Sequence, residues 1–312
     1  MDIANSQMLM MAPLAGFTDR AFREIVSEFG SRINTTEMVS LKGIYYNDQK
    51  TKDLLAVSEK ESPCILQIFG HDPSILEVVM PKINAMDQFI GIDLNMGCPA
   101  PKIVNNGDGS YMMTQPLKTY HFLKKLVQRS NKPISVKFRL GFDENHINYL
   151  EIGKICEDAG VHHVCLHPRT RTQFYRGKAD WSKIAQLKNH LSIPVIGNGD
   201  LFTSEDIDQM FYHTKCDAVS LGRGALHNPF LFQKNSNYTY DDIHEVIKKH
   251  YKLKIKYVGY ERGIKEMRKA VAYYLKGLPK SASVKNDLNH EVEIDRIYNI
   301  LEDFFNEIRG DL

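Results

Sequence analysis

Eight short strand-like stretches, several of them continuously apolar, recur along this 312-residue chain, and each carries a polar residue, a proline or a glycine at or near its carboxyl end. They are too short for helices and too apolar for a sheet with one solvated face, which is typical of parallel strands covered by helices. Helical patterns fill the intervals, so we predict an α/β fold, a (β/α)8 or TIM barrel. The stretches are Met8–Leu14, Arg32–Glu37, Cys64–Phe69, Ile90–Asn95, Ile134–Arg139, His163–His167, Pro194–Asn198 and Ala218–Gly222.

A second, smaller domain is predicted after the barrel. The polar segment Gln233–Asn237 separates the last strand pattern from a region of helical periodicity. We therefore expect a barrel domain over residues 1–235 and a small C-terminal helical domain over residues 236–312. The expected helices of this domain begin at Asp241 and Asp242, span Gly263–Leu275, and span Glu291–Ile308.

The near-neutral net charge of +2 hides a strongly basic segment in the tail. Residues 248–285 contain twelve Lys or Arg and two Glu, whereas the residues after them are mainly acidic. A basic run with interleaved tyrosines suits RNA, because phosphate contacts dominate the affinity and aromatic rings stack on bases. A solvated helical face is the alternative for such a run. The tyrosines are Tyr251, Tyr257, Tyr260, Tyr273 and Tyr274.

Composition argues against several classes of protein. No stretch offers about 18 uncharged apolar residues, and the first residues lack a basic region followed by an apolar one, so we expect a cytoplasmic protein without membrane insertion. The five cysteines are scattered, which favours neither a disulfide framework nor a zinc site. We predict no bound metal, and nothing in the sequence indicates an obligate protein partner.

Polar side chains and glycines stand at the carboxyl ends of the predicted strands, where barrel enzymes gather their functional residues. Buried structural strands would not need such chemistry at their tips, so we predict an active site at this end of the barrel. The tip residues are Pro13, Glu37, Gln67, Asn95, Lys137, Arg139, His167, Asn198 and Gly222.

Cys98 follows the fourth predicted strand and lies between Gly97 and Pro99. A tight turn at a strand end gives the thiol little cover, which suits proton donation or nucleophilic attack. A cysteine is otherwise commonly a small core residue. Because it follows Asn95 at a strand tip, Cys98 is the candidate catalytic residue.

Glycine-rich segments follow the last two predicted strands, at Gly197–Asp200 and Gly222–Ala225. In barrels, the loops after these strands commonly bind phosphate through main-chain amides and a nearby cation, which Arg223 would supply. The glycines could equally serve only to make tight turns. Their presence at both strands favours a phosphate site.

A phosphate site together with Gln67, Lys137 and His167 suits flavin mononucleotide (FMN). The flavin ring needs an amide partner at its polar edge and a positive charge near N1 when reduced, which Lys137 could provide. Taken alone, Lys137 could be a surface lysine or a Schiff-base nucleophile, and His167 could be a structural histidine.

Several groups of residues at the predicted strand tips form a recognisable set. They are Met11–Gly16 with Thr18–Arg20, Gln67–Gly70, Asn95–Pro99 with Lys102, Lys137–Arg139, His167–Arg171, Asn198–Asp200 and Gly222–Arg223. Together they resemble the tRNA-dihydrouridine synthases, most nearly the bacterial B-type enzymes. The resemblance covers roughly residues 8–280, and the cysteine motif combined with His167–Arg171 is its most specific part.

This resemblance implies an FMN-binding barrel followed by a helical domain that grips RNA. FMN would be held by Pro13, Leu14, Ala15, Gln67, Lys137, His167, Asn198, Gly199, Asp200, Gly222 and Arg223. The substrate RNA would contact Asn95 and Arg139 at the target uracil, and Lys102, Arg169, Arg171, Arg268 and Lys269 elsewhere. Cys98 would be the general acid.

The implied reaction is the reduction of specific tRNA uridines to 5,6-dihydrouridine. NADPH or NADH reduces the flavin, flavin N5 passes a hydride to uracil C6, and the Cys98 thiol gives a proton to C5. A thiol with an ordinary pKa near about 8.5 is mostly protonated at neutral pH and can donate.

Two other functions are compatible with these residues. A small-molecule FMN oxidoreductase would have no use for the basic tail, and a noncatalytic RNA-binding module would not need Cys98, Lys137 and His167. Ribosomal RNA is an alternative substrate to tRNA. Which uridine is reduced, whether NADPH or NADH is preferred, and the oligomeric state stay open at this point.

Overall fold

The computed structural model describes residues 2–233 and 237–310. The predicted domain boundary between residues 235 and 236 lies outside them. The strands are β1 Met8–Met11, β2 Asn34–Thr35, β3 Val39–Ser40, β4 Cys64–Phe69, β5 Phe89–Met96, β6 Ile134–Arg139, β7 His163–His167, β8 Val195–Asn198 and β9 Ala218–Leu221. The α-helices are α1 Arg20–Glu28, α2 Leu41–Tyr45, α3 Gln49–Leu54, α4 Pro73–Asn84, α5 Pro101–Val104, α6 Pro116–Arg129, α7 Tyr149–Ala159, α8 Ser182–His190, α9 Ser204–Thr214, α10 Arg223–His227, α11 Tyr240–Val258, α12 Tyr260–Tyr274, α13 Ser281–His290 and α14 Ile294–Gly310. Two 3-10 helices span Gly109–Thr114 and Pro229–Gln233.

The arrangement of the strands confirms the predicted barrel. The strands pair in parallel in the order β1-β9-β8-β7-β6-β5-β4-β2, and a parallel bridge between Met10 and Ile33 joins the two ends. Closure brings the carboxyl ends of the strands together at one face, which is where a (β/α)8 barrel carries its functional residues.

The second predicted strand, Arg32–Glu37, is wrong as a continuous element. It pairs with β4 at Asn34–Thr35, and the separate strand β3 pairs with β4 further along. Between them, the Thr36 hydroxyl accepts a hydrogen bond from the Gln67 amide at 2.9 Å. This side-chain acceptor replaces the main-chain carbonyl of a regular ladder, so the pairing is interrupted there.

Two apolar clusters occupy opposite faces of the strands. On β7, Cys165 belongs to a small cluster with Met10, Ile65 and Ile196, whereas its neighbours Val164 and Leu166 belong to the large cluster between strands and helices. Successive side chains of a strand point to opposite faces, so the small cluster fills the barrel interior.

The tail contains four helices among the described residues 237–310, and α13 is one that the sequence analysis missed. Helix α11 begins with a capping box in which Thr239 and Asp242 satisfy each other's main-chain amides. Gly259, at φ 85°, turns the chain from α11 into α12. A Cβ at Gly263 would lie 3.0 Å from the Ile255 Cα, so the glycine lets the two helices cross closely.

Part of the basic segment binds the barrel through ion pairs. The Lys254 ammonium is buried between Asp19 of the barrel and Glu266 of α12, with a distance of 2.8 Å to Glu266. Arg262 pairs with Asp53 at 2.7 Å, and Lys249 pairs with Glu28. These cations hold the helical domain on the barrel, so they do not contribute freely to an RNA-binding surface.

The buried position of Lys254 predicts a large effect on stability. Lys254→Met should lower the free energy of unfolding by about 3 kcal/mol, because Asp19 would lose its cation next to Glu266, which keeps only its pair with Arg262. Lys249→Met removes an exposed pair from the same helix and should cost less than about 1 kcal/mol. Urea unfolding of both variants measures the difference, and equal losses would contradict a special role of Lys254.

Within residues 2–233 and 237–310, no helix combines the length and apolar character that crossing a membrane requires. The same residues contain no group of three or more His, Cys, Asp or Glu side chains arranged to hold a metal ion.

Candidate active site

A cavity of about 380 Å³ opens at the carboxyl ends of the barrel strands. The structure brings every predicted cofactor residue to its wall. These are Pro13, Leu14, Ala15, Gln67, Lys137, His167, Asn198, Gly199, Asp200, Gly222 and Arg223. Asn95, Cys98 and Arg139 line the same cavity. The predicted catalytic residue, the predicted uracil contacts and the predicted cofactor site therefore share one space.

A chain of hydrogen bonds crosses the floor of this cavity. The buried Asp93 carboxylate accepts hydrogen bonds from Gln67 Nε2 (2.8 Å) and Ser135 Oγ (2.7 Å). Gln67 Oε1 accepts one from Asn95 Nδ2 (2.9 Å), and Asn95 Oδ1 accepts the main-chain amide of Cys98 (2.9 Å). Burial raises the pKa of Asp93 above its ordinary value, against the hydrogen bonds from Gln67 and Ser135.

The turn that carries Cys98 is fixed from both sides. Asn95 accepts from its amide, while the Ser110 amide (3.2 Å) and hydroxyl (2.9 Å) donate to its carbonyl. Cys98 is partly buried, whereas the other four cysteines are buried. Burial raises the pKa of the Cys98 thiol, outweighing the Ala100 amide and the charges of Arg139 and Lys137. The group is therefore a thiol at neutral pH, as a proton donor must be.

Gly109 supports this turn at close range, which predicts a selective loss of turnover. A Cβ there would lie 2.9 Å from the Cys98 carbonyl oxygen, at a φ of 60°. Gly277 also has a positive φ, 87°, but a Cβ there would meet nothing within 4 Å. Both alanine variants should lose about 1 kcal/mol of stability from backbone strain.

Only Gly109→Ala should also displace Cys98, and it should lower turnover at least about tenfold. Thermal unfolding and turnover, measured on both variants, separate the two effects. Similar turnover in both would show that Gly109 matters only through its backbone conformation.

Lys137 and His167 present polar groups to the cavity. Within the described ranges, no residue accepts a hydrogen bond from Lys137 Nζ, and burial lowers the pKa of this lysine. Burial, together with Lys137, Arg139, Arg169 and Arg223, holds the pKa of His167 well below its ordinary value. The ring is therefore neutral, and its Nε2 accepts from the Arg169 guanidinium (3.2 Å), so the proton resides on Nδ1.

Asp200 organises the cations at the last two strands. Its carboxylate accepts from Arg169 (2.6 Å), from the Ala179 amide (2.8 Å) and from Arg223 (3.1 Å). Burial opposes ionisation, but these donors and charges outweigh it and lower the pKa of Asp200. The side chain thus holds Arg223 in place. An ionised carboxylate would repel a phosphate, so Asp200 would serve the phosphate end of FMN through Arg223 and not by direct contact of its side chain.

Arg169 is not available to an RNA phosphate, contrary to the sequence-based expectation. Its side chain is 1% exposed, and it donates to Asp200, to His167 and to the carbonyls of Arg176 and Gly177. Arg169 is occupied inside the loop because a buried guanidinium needs acceptors for its donors.

Apart from the predicted uracil contacts Asn95 and Arg139, the remaining predicted RNA contacts lie outside the cavity. Arg171 stacks over the Phe142 ring at 4.9 Å and is partly buried, whereas Lys102 is exposed on α5. Lys269 is exposed and donates to the Gly16 carbonyl at 3.1 Å, while Arg268 is partly buried. The structure does not bring these four residues together with Cys98.

Aromatic side chains that the sequence analysis did not assign to the site complete its wall. The Arg223 guanidinium lies over the Tyr175 ring at 4.4 Å and near the Phe202 ring at 5.7 Å. Tyr273 of α12 reaches the cavity and contacts Phe17 edge-on at 5.1 Å. Tyr175 lies in the loop after β7. An aromatic residue close to several Arg and Thr residues could have indicated from the sequence that this loop contributes to the site. The contact of Tyr273 depends on how the two domains meet.

A closed parallel barrel with a polar cavity at its strand ends defines the class of (β/α)8-barrel enzymes with a cofactor-sized active site. The family model described as dihydrouridine synthase (Dus) matches residues 10–309, and the chain belongs to this family.

Two relatives illustrate the match. A probable tRNA-dihydrouridine synthase of Helicobacter pylori (strain J99) is 36% identical over 98% of this chain and 94% of that protein. A tRNA-dihydrouridine synthase B of Pasteurella multocida (strain Pm70) is 33% identical over 97% of this chain and 94% of that protein.

Among solved structures, histamine dehydrogenase from Rhizobium sp. 4-9 superimposes with a TM-score of 0.51 at 12% identity. The superposition covers 80% of this chain and 49% of the other. At this identity the likeness concerns the fold alone.

Proposed function

We propose that this protein reduces specific uridines in tRNA to 5,6-dihydrouridine, with FMN as cofactor and NADPH or NADH as reductant. The observation that carries the proposal is the position of the Cys98 thiol in one cavity with Asn95, Arg139 and Lys137. Membership of the dihydrouridine synthase family and the two named relatives support the same reaction.

The residues of the cavity fit FMN. Lys137 Nζ and the protonated His167 Nδ1 are donors suited to a flavin ring and its ribityl chain, and Arg223 is a cation suited to the phosphate. At Gly222 the nearest side-chain atom to a Cβ position is 3.8 Å away, so a ligand could approach the backbone there. FMN, when bound, would supply the hydride for uracil C6.

Asn95 and Arg139 are suited to hold the uracil. Arg139 donates through Nε to Gly97 and through Nη1 to Thr170 and Phe174, which leaves both N–H groups of Nη2 for a substrate carbonyl. Asn95 likewise keeps one N–H of its amide. With the base turned out of its stack into the cavity, Cys98 would donate a proton to C5.

RNA outside the cavity would be held by exposed cations that no barrel carboxylate neutralises. We assign this role to Lys102 and Lys269 and to the exposed lysines 252, 265 and 276 of the helical domain. Lys249, Lys254 and Arg262 are excluded because they pair with acids of the barrel.

The test uses the purified full-length protein loaded with FMN. Unmodified tRNA, unmodified ribosomal RNA and free uridine are each incubated with NADPH or NADH, and dihydrouridine is mapped at nucleotide resolution. We expect product at defined tRNA positions only. Comparable reduction of free uridine would favour a small-molecule oxidoreductase, and product confined to ribosomal RNA would redefine the substrate.

A further inference from the structure

The hydrogen bonds on the cavity floor run from a buried acid to the catalytic turn. Gln67, Asp93 and Ser135 are register partners on β4, β5 and β6, so their side chains lie side by side inside the barrel. Asn95 lies two residues beyond Asp93 on the same face of β5. Asp93 thereby connects to Cys98 through two amide side chains.

The chemistry of the two ends determines how both amides point. In its ionised form Asp93 only accepts, so Gln67 then turns Nε2 towards Asp93 and Oε1 towards Asn95. The main-chain amides of Gly97 (3.2 Å) and Cys98 (2.9 Å) only donate, so Asn95 must turn Oδ1 towards them. Both requirements select the same orientation, with Asn95 Nδ2 facing Gln67 Oε1.

We propose that Asp93 is a positioning residue, whose carboxylate fixes the side-chain amides of Gln67 and Asn95 and through them holds the Cys98 turn. The orientation leaves one N–H of each amide for the cavity. The floor therefore offers donors, which suit the carbonyl oxygens of a flavin ring or a uracil. This inference rests on the proposed function, because Cys98 needs accurate placement only if it acts on a substrate.

The first test measures alkylation of Cys98 by iodoacetamide in the full chain without cofactor or RNA. The other four cysteines are buried, so peptide mass spectrometry can follow Cys98 by itself. Asp93→Leu removes the acceptor at similar volume and should speed alkylation by at least about tenfold, since the turn is released. Ser135→Ala removes the other hydrogen bond to the same carboxylate, leaves the amides oriented, and should stay within about twofold.

The second test inverts the chain of hydrogen bonds. In Asn95→Asp, two carboxylates compete for the single Nε2 of Gln67, so alkylation of Cys98 should again accelerate by at least about tenfold. Adding Asp93→Asn returns the pair of positions to a single carboxylate and allows the side-chain amide of Gln67 to flip. Gln67 Nε2 then donates to the new carboxylate at position 95, and Gln67 Oε1 accepts from the new side-chain amide at position 93. The oxygen of that amide accepts from Ser135.

The double variant should return the alkylation rate to within about threefold of the natural protein, a coupling that independent structural defects do not show. The proposal would be overturned if Asp93→Leu and Ser135→Ala changed the alkylation rate by similar factors. It would also be overturned if the double variant were alkylated as fast as Asn95→Asp alone. Dihydrouridine formation should not return in the double variant, because Asn95 has lost its free N–H. The alkylation rate is measured without any enzymatic turnover, so its outcome does not depend on whether the proposed function is correct.

Discussion

Replacing Cys98 with alanine should lower the rate of dihydrouridine formation by about 10²- to 10⁴-fold, the range that a positioned proton donor contributes. The main chain of Cys98 is held by Asn95 and Ser110, so the turn and the cavity should keep their shape without the thiol. FMN binding, measured by flavin fluorescence, should therefore change by less than about threefold. A tenfold loss would require a change of about 1.4 kcal/mol in the binding free energy.

A fully buried cysteine provides the control. Cys156 packs in the core against the helices and does not line the cavity, so Cys156→Ala should lose stability but keep its turnover. Equal turnover of Cys98→Ala and the natural protein would remove Cys98 from the mechanism.

The pH dependence follows from the direction of the pKa shift. A proton donor acts while it is protonated and fails as the pH rises through its pKa. Because burial raises the pKa of Cys98 above its ordinary value, this group should not limit the rate between neutral pH and the ordinary pKa of a thiol. This assignment would be contradicted if turnover declined with a midpoint near pH 7 while substrate binding stayed unchanged over the same pH range.

Arg139→Met should lower kcat/KM by about 100-fold or more, because the side chain joins the catalytic turn to the loop above it. Its Nε donates to the Gly97 carbonyl at 2.7 Å, and its Nη1 donates to the carbonyls of Thr170 (3.1 Å) and Phe174 (2.8 Å). Burial lowers the pKa of Arg139 to about 10, which still leaves it charged at neutral pH. The variant leaves three carbonyls without a hydrogen bond and removes the donors that we propose for the uracil.

Two further variants separate charge from geometry. Arg139→Lys keeps the positive charge but loses the planar fork, so it should remain at least about tenfold impaired. Arg129→Met removes an arginine that pairs with Glu77 outside the cavity and should leave kcat/KM within about twofold. Recovery of activity in Arg139→Lys would show that charge alone is required.

Much of the site was predictable because it lies at strand ends. Parallel strands of a closed barrel end at one face, so residues at the tips of separately predicted strands had to converge. That reasoning placed Gln67, Lys137 and His167 on one cavity without knowledge of any contact. It failed for Arg32–Glu37, where the Thr36 side chain interrupts the ladder, because periodicity does not report hydrogen bonds made by side chains.

Arginine roles were harder to predict than arginine positions. Arg139 is the last residue of β6, and Arg169 follows β7. The Arg169 guanidinium donates its hydrogen bonds to Asp200 and neighbouring carbonyls, whereas Arg139 keeps free donors for the cavity. The number of acceptors within reach decides this, and sequence spacing does not contain it. The buried Asp93 had a sequence signal, since a charged residue stood inside an otherwise apolar strand two positions before Asn95.

The sequence by itself predicted the barrel, the end of the barrel that carries the candidate site, and the cysteine proposed as proton donor, since the barrel follows from local periodicity and the other two from residues at strand tips. Tertiary structure alone decided which basic residues of the tail remain free. Lys254 and Arg262 face carboxylates that are more than 200 positions away in the chain. It also decided the direction of the amides between Asp93 and Cys98, because hydrogen-bond donors and acceptors select an orientation only after the strands have brought them into contact.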